Sequence, residues 1–320
     1  MTLPPSYDHL PIIDLSAADR GPQARTLLHA QLHSAAHDVG SFQLVGHGVP
    51  RAEREALLTA TRAFFALPEA DRLALDKVNS PHFRGYTGGV GGRCERFDIG
   101  PERPACVPGP GEPAYGWLEG PNQWPAALPA LRTAALAWID RLSGVARRLL
   151  RELLTAIGAP AGFYDPVLGE RAHPRLRLVR PAGSAGDGTG RAAGAHQDRG
   201  FLTLLLQDTV CGFPEVLPLD GAFVVGIGDL LEAATDGYLI AADHRALGPT
   251  GRFSVPFFCA PRLDARVAPP PFPYAGAAPG FTAAPDDPLG AEYGHHALKD
   301  ELRAHPRVAR RHHGKLLAAA

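Results

Sequence analysis

The second half of the chain consists of short β-like runs separated by turn residues, and this pattern limits the possible folds most strongly. Only one short helical patch, at 230–235, lies among these runs. Because successive parallel strands need a crossover connection, usually a helix, the pattern favours an antiparallel sandwich or jelly roll over a parallel sheet. The runs cover residues 175–180, 201–206, 222–227, 237–241 and 252–258.

The first half is predicted to be mostly helical, with two short strands at 12–15 and 41–45. Apolar residues recur at helical spacing over 23–39, 51–67 and 128–157, and Gly40 follows the first of these as a helix stop. The Gly- and Pro-rich stretch 79–125 is predicted to form ordered loops, and a further helix is predicted at 294–304. We therefore expect one compact α+β, mainly β, unit over 1–320, built on a double-stranded β-helix (jelly roll). Its parts are an N-terminal helical and strand region (1–125), a long backing helix (126–160), a jelly-roll core (170–265) and a C-terminal extension (266–320).

Composition excludes several classes of protein. With 320 residues, 45% of them hydrophobic, and a net charge of -1, the chain is typical of a globular protein and lacks the basic field of nucleic-acid or anionic-membrane binders. No run approaches the 18 apolar residues of a membrane span, and residues 1–9 lack a signal-peptide pattern, so we expect a cytoplasmic protein. The abundance of Ala, Gly and Pro is typical of a GC-rich bacterial genome. The oligomeric state is not predicted.

Three residues suggest a metal site. His196 and Asp198 lie just before one β run, and His244 lies just after the end of another. Two imidazoles and one carboxylate can hold Fe(II) on one face and leave three positions open for substrate and O2. Arg252 and Ser254 alternate at the start of the last run, so they share a face, where an arginine and a hydroxyl suit a carboxylate ligand.

In this order along the chain, these residues resemble the isopenicillin N synthase-like branch of the Fe(II)/2-oxoglutarate dioxygenases. The resemblance also includes Arg84-Gly85-Tyr86 and the segments 40–49, 196–205 and 252–258. It implies that His196, Asp198 and His244 bind Fe(II), while Arg252 and Ser254 hold the distal carboxylate of 2-oxoglutarate. It also implies that a small molecule is hydroxylated, desaturated or cyclised with O2, and we expect this reaction in bacterial specialised metabolism.

A departure from the family pattern suggests the class of substrate. Arg180 stands where the family often has a tyrosine, and strand alternation puts it on one face with Leu176 and Leu178. The resemblance implies that this face points to the mouth of the barrel. We therefore hypothesise that Arg180 meets an acidic or amino-acid-like substrate, although a protein carboxylate could pair with it instead. The other candidate substrate-binding residues are Arg84, Tyr86 and Arg199.

Three other functions fit the same residues. An Fe(II) oxidase that does not use 2-oxoglutarate would keep the same metal ligands and the same Arg252–Ser254 pair. A cupin-like metal-dependent hydrolase or isomerase would need no O2, and a small-molecule binding module would need no metal. Succinate formation, dependence on O2 and iron content distinguish these alternatives.

Overall fold

The structure is a computed structural model that describes residues 10–89, 94–180, 197–207, 219–242, 253–274 and 291–318. Within these residues, eight strands form one sheet in the order β1-β2-β7-β6-β8-β5-β4-β3. All neighbouring strands are antiparallel except β1 and β2. The sheet is consistent with a jelly-roll core. The strands are β1 (Ile12–Asp14), β2 (Ser41–Val45), β3 (Gly85–Thr87), β4 (Glu95–Ile99), β5 (Arg175–Arg180), β6 (Leu202–Gln207), β7 (Phe223–Ile227) and β8 (Ser254–Cys259).

The long helix Pro129–Ala156 packs against β5, β6 and β8, and the helices Pro22–Ser34 and Arg51–Ala66 pack against it. Among the described residues, no helix is long and apolar enough to cross a membrane. The first helix continues into a π-helical turn, Ala35–Val39, which ends at Gly40 with φ 76°, a conformation that favours glycine. The helices are α1 (Pro22–Ser34), α2 (Arg51–Ala66), α3 (Glu69–Ala74), α4 (Pro129–Ala156), α5 (Asp229–Ala234), α6 (Tyr293–Ala304), α7 (Pro306–His312) and α8 (Gly314–Ala318).

The two faces of the sheet have different surroundings. One face, which we call the helix face, carries Leu176, Leu178, Leu204 and Phe257, all fully buried in one core cluster with the apolar side of α4. Burial of such side chains stabilises the fold by about 1.5–3 kcal/mol each. The opposite face, which we call the open face, carries the alternate residues of the same strands. Its members include Arg175, Arg177, Val179, Thr203, Gln207, Ser254 and Phe258.

The structure differs from two sequence predictions. The predicted strand 237–241 is a loop, because its backbone donors are used elsewhere: Ile240 N–H donates to Ala36 O and Ala241 N–H donates to Glu232 Oε1. The stretch 79–125, predicted as loops, contains β3 and β4. These strands are short, and β4 has only two apolar residues, Phe97 and Ile99, so its alternation is too brief to stand out in the sequence.

Candidate functional site

Asp198 lies on a tight turn at the start of β6. The backbone carbonyl of Asp198 accepts a hydrogen bond from Asp229 N–H at 2.9 Å, and Gly200 turns the chain with φ 94°. A Cβ atom at Gly200 would lie 2.6 Å from Cys259 O, so a glycine is needed there. The Gln197 amide donates to Ala241 O at 2.8 Å. This bond ties the turn to the chain three residues before His244.

Three of the predicted site residues, His196, His244 and Arg252, lie outside the described residues. Within the part of the chain that the structure describes, no three His, Cys, Asp or Glu side chains come together as a metal site. Asp198 is the one predicted iron ligand among the described residues, so a group of all three could not be found there. The assignment of the iron ligands therefore stays a prediction.

Ser254 lies on the open face between two neighbours that the register defines. Gln207 is its partner on β6 and Val179 its partner on β5. Both amide atoms of Gln207, and the hydroxyl of Thr203 on the same face, are buried and have no hydrogen-bond partner among the described residues. Buried polar groups are rarely left in this state, so the open face around Ser254 suits a polar ligand. The carboxylate and keto oxygens of 2-oxoglutarate are acceptors that hydroxyl and amide donors can meet.

Arg180 does not face this site. It lies on the helix face, where its Nη2 group donates to Glu95 Oε1 on β4 and its Nη1 group donates to Phe65 O at 2.8 Å. Its guanidinium carbon lies 5.4 Å from the centre of the Phe65 ring. The expectation that this face points to the barrel mouth is therefore wrong, because Leu176 and Leu178 are buried against helices. A protein carboxylate meets the charge of Arg180, which removes the reason to assign it to substrate.

Arg84 and Tyr86 also have contacts within the protein. Arg84 is almost fully buried, and it donates to Leu118 O at 3.1 Å and lies 3.3 Å from His173 Nε2. Burial, with the nearby Arg175, lowers the pKa of Arg84 to about 10. The Tyr86 hydroxyl donates to Glu95 Oε2 at 2.7 Å, on the helix face. Neither residue retains support as a substrate contact.

Arg199 is exposed and bridges two carboxylates. Its Nη1 group donates to Asp229 at 2.9 Å and its Nη2 group to Asp300 on α6 at 3.0 Å. The other oxygen of Asp229 accepts from Gly200 N–H at 3.0 Å. Burial raises the pKa of Asp229 to about 6, although Arg199 opposes this shift. These contacts support the turn that carries Asp198, and the assignment of Arg199 to substrate stays a prediction.

A buried charge cluster on the open face was not predicted. Lys77 Nζ donates to Asp98 Oδ2 at 2.6 Å, Arg177 Nε donates to Asp98 Oδ1 at 2.7 Å, and Arg175 pairs with Glu301 of α6. Burial opposes the ionisation of Asp98, but Arg177, Lys77 and Arg175 hold its pKa well below the usual value. The alternation in β5 could have shown that Arg175 and Arg177 share the face opposite Leu176.

Two family models match the chain. The model described as "non-haem dioxygenase in morphine synthesis N-terminal" matches residues 10–127, and the model of the 2OG-Fe(II) oxygenase superfamily matches residues 181–261. The second match spans the turn at Asp198 and the strands β6, β7 and β8. Together the two matches contain every described strand of the sheet except β5.

Individual proteins that resemble this chain belong to the same family of oxygenases as the matched family models. The 2-oxoglutarate-Fe(II) type oxidoreductase hxnY of Emericella nidulans is 31% identical over 287 residues, which cover 80% of this chain and 79% of that protein. Validamycin A dioxygenase of Streptomyces hygroscopicus subsp. limoneus is 32% identical over 275 residues, or 75% of this chain and 72% of that protein. The crystal structure of the dioxygenase for auxin oxidation in rice has the same fold. It gives a TM-score of 0.59 at 26% identity, over 82% of this chain and 86% of that one.

With these matches, the chain belongs to the 2-oxoglutarate- and Fe(II)-dependent oxygenases, enzymes that use Fe(II), 2-oxoglutarate and O2 to oxidise small molecules.

Proposed function

We propose that His196, Asp198 and His244 bind Fe(II) and that Arg252 and Ser254 hold the distal carboxylate of 2-oxoglutarate. The observation that carries this proposal is the pairing of β6 with β8. Asp198 lies just before the first of these strands and Ser254 begins the second. Thr203 and Gln207 lie between them on the same face, and within the described ranges their buried polar groups have no hydrogen-bond partner.

The side chains of this face have distinct roles in the proposal. The Ser254 hydroxyl donates to the carboxylate that Arg252 neutralises, and Gln207 supplies a further amide donor beside it. Gln197 keeps the Asp198 turn against Ala241 and so limits the movement of the ligand-bearing segment. When bound, Fe(II) and 2-oxoglutarate together supply the O2 chemistry that oxidises a C–H bond.

The proposal also includes the type of β core, the metabolic context of the reaction and the class of substrate. We infer a double-stranded β-helix core and a reaction in bacterial specialised metabolism, for which the relative from Streptomyces gives some support. We also keep an acidic or amino-acid-like small molecule as the substrate class. That part no longer depends on Arg180, since Glu95 pairs with it.

The test is turnover of the cosubstrate. Purified protein with Fe(II), 2-oxoglutarate and O2 is expected to release succinate, and the rate should rise when a substrate from a panel of small acids and amino acids is added. Omission of Fe(II) or of O2 should stop the release. Turnover of a substrate without 2-oxoglutarate, or without O2, would contradict the proposed function.

A further inference from the structure

Arg177 is one of two arginines that β5 carries on the open face, and it is the nearer of the two to Ser254 along the strand. It lies on the open face, two residues before Val179, and Val179 is the register partner of Ser254. Successive residues on one face of a strand are about 6.6 Å apart, so Arg177 lies within one side-chain length of the Ser254 row. We propose that Arg177 binds a carboxylate of the substrate. This inference rests on the proposed function, since it takes the open face as the place where substrate binds.

Two contacts hold the guanidinium of Arg177 in place. Its Nε–H donates to Asp98 Oδ1 at 2.7 Å, and its guanidinium carbon lies 5.7 Å from the centre of the Phe258 ring. Within the described residues this is the one hydrogen bond that the Arg177 side chain makes, and a fifth of that side chain is exposed. Its two terminal nitrogens can therefore donate to a ligand in the paired geometry that a carboxylate requires.

The charges around Arg177 favour an anion. Asp98 also accepts from Lys77 at 2.6 Å and lies 3.4 Å from Arg175, whose other partner is Glu301. Three cations thus share two carboxylates, and the excess positive charge lies on the open face. A cation in a partly desolvated site is costly unless an anion pairs with it. A substrate carboxylate would neutralise the third positive charge.

Arg180 provides a matched control on the same strand. It also pairs with one glutamate or aspartate of β4, here Glu95, and it also lies over one aromatic ring, that of Phe65 at 5.4 Å. The two arginines differ in the face of the sheet on which they lie. Arg177→Met and Arg180→Met therefore each remove one carboxylate pair and one ring contact, from opposite faces, and Arg180→Met also removes the bond to Phe65 O.

The experiment measures binding without turnover. Anaerobic protein loaded with Fe(II) and 2-oxoglutarate is titrated calorimetrically with acids and with the primary amides of the same skeletons. The probes are phenylacetate and phenylacetamide, indole-3-acetate and indole-3-acetamide, and decanoate and decanamide. A paired charge-assisted contact predicts that the acids bind at least about tenfold more tightly than the amides in the wild type and in Arg180→Met. In Arg177→Met the difference is expected to fall below about threefold.

A second variant separates recognition from folding. Arg177→Lys keeps the charge that Asp98 needs, but one ammonium cannot reproduce the paired contact, so the preference for acids should fall while thermal stability is kept. Equal binding of acids and amides by the wild type would overturn the proposal, and so would an unchanged preference for acids in both Arg177 variants. A loss of 2-oxoglutarate affinity in Arg177→Met would assign the residue to the cosubstrate and overturn it as well. Succinate release without added acid tests the proposed function separately.

Discussion

Gln207 lies directly opposite Ser254 across the β6–β8 ladder, and both of its amide atoms are buried with no partner in the part of the chain that the structure describes. Opposed residues of an antiparallel pair have Cβ atoms about 4.5–5.5 Å apart, so a ligand at the Ser254 hydroxyl is within reach of this amide. Such a pair forms a polar wall on the open face. Burial of the amide without hydrogen bonds destabilises the free protein. A ligand that accepts a hydrogen bond from the amide would remove part of this free-energy cost.

Replacement of Gln207 by leucine should therefore separate ligand binding from stability. We expect the Kd of 2-oxoglutarate to rise about five- to tenfold in Gln207→Leu, from the loss of about 1–1.5 kcal/mol of hydrogen bonding. The thermal stability of the free protein should stay the same or rise, because a buried unsatisfied group is removed. Calorimetric titration and thermal unfolding measure the two effects. Gln43→Leu is the control, since Gln43 is also buried but accepts from Leu219 N–H at 3.2 Å. Unchanged affinity in Gln207→Leu would remove this residue from the cosubstrate site.

The arginine predicted to hold the cosubstrate has its own test. Arg252→Gln keeps hydrogen-bonding ability but removes the charge, and a charge-assisted contact contributes about 1.5–3 kcal/mol. The KM for 2-oxoglutarate should rise about ten- to hundredfold while Fe(II) affinity stays the same. Steady-state succinate assays and iron titrations give the two values. An unchanged KM would show that Arg252 does not hold 2-oxoglutarate.

The charge cluster on the open face should contribute strongly to folding. Asp98→Asn leaves Lys77, Arg175 and Arg177 without their shared carboxylate, and breaking a buried ion pair from one side costs about 3–5 kcal/mol. Denaturant unfolding measures the loss. Asp165→Asn is the control, because its pair with Arg151 is half exposed and should contribute about 0–1 kcal/mol. Similar losses in the two variants would contradict the role given to Asp98.

His305 should make the protein sensitive to acid. Burial, with the nearby Lys77, lowers the pKa of His305 to about 4, and in the unfolded chain a histidine titrates near 6.5. Between these values the unfolded chain binds more protons, so the free energy of unfolding should fall as the pH drops from about 6.5 to about 4. His305→Gln should remove on the order of 1–3 kcal/mol of this pH dependence, measured by denaturant unfolding at both pH values. The exposed His295 is the control, and an unchanged slope in His305→Gln would contradict this account.

Much of the fold could be predicted because local patterns agreed with the final packing. The run 175–180 is the strand β5, and Gly40 ends the first helix where its left-handed backbone allows the turn. Which face of β5 packs against the helices could not be predicted in the same way. Alternation shows which residues share a face, but only the packing of Leu176 and Leu178 against α4 shows that this is the helix face. For that reason the sequence alone favours Arg180 as a site residue, whereas the structure has Arg177 on the open face and Arg180 on the helix face.

The candidate site also has a part that the sequence identifies and a part that depends on how the strands pair. The order of His196, Asp198, His244, Arg252 and Ser254 is readable from the sequence, because the metal chemistry requires those residue types. The contacts of Glu95 and Asp98 depend on β3 and β4, whose pairing brings together residues far apart in the chain. Sequence spacing carries no information about such pairs, so the protein partners of Arg180 and Tyr86 could not be foreseen.

The most direct test of the assigned metal site is anaerobic Fe(II) binding by Asp198→Ala. Wild-type protein is expected to bind about one Fe(II) per chain and to develop a visible charge-transfer absorption when 2-oxoglutarate is added. Asp198→Ala should fold normally but bind Fe(II) at least about tenfold more weakly, because one of three ligands is lost. Asp165→Ala, which removes a carboxylate that pairs with Arg151 instead, should bind Fe(II) like the wild type. Iron binding and the absorption band unchanged in Asp198→Ala would contradict the assignment of this carboxylate to the metal.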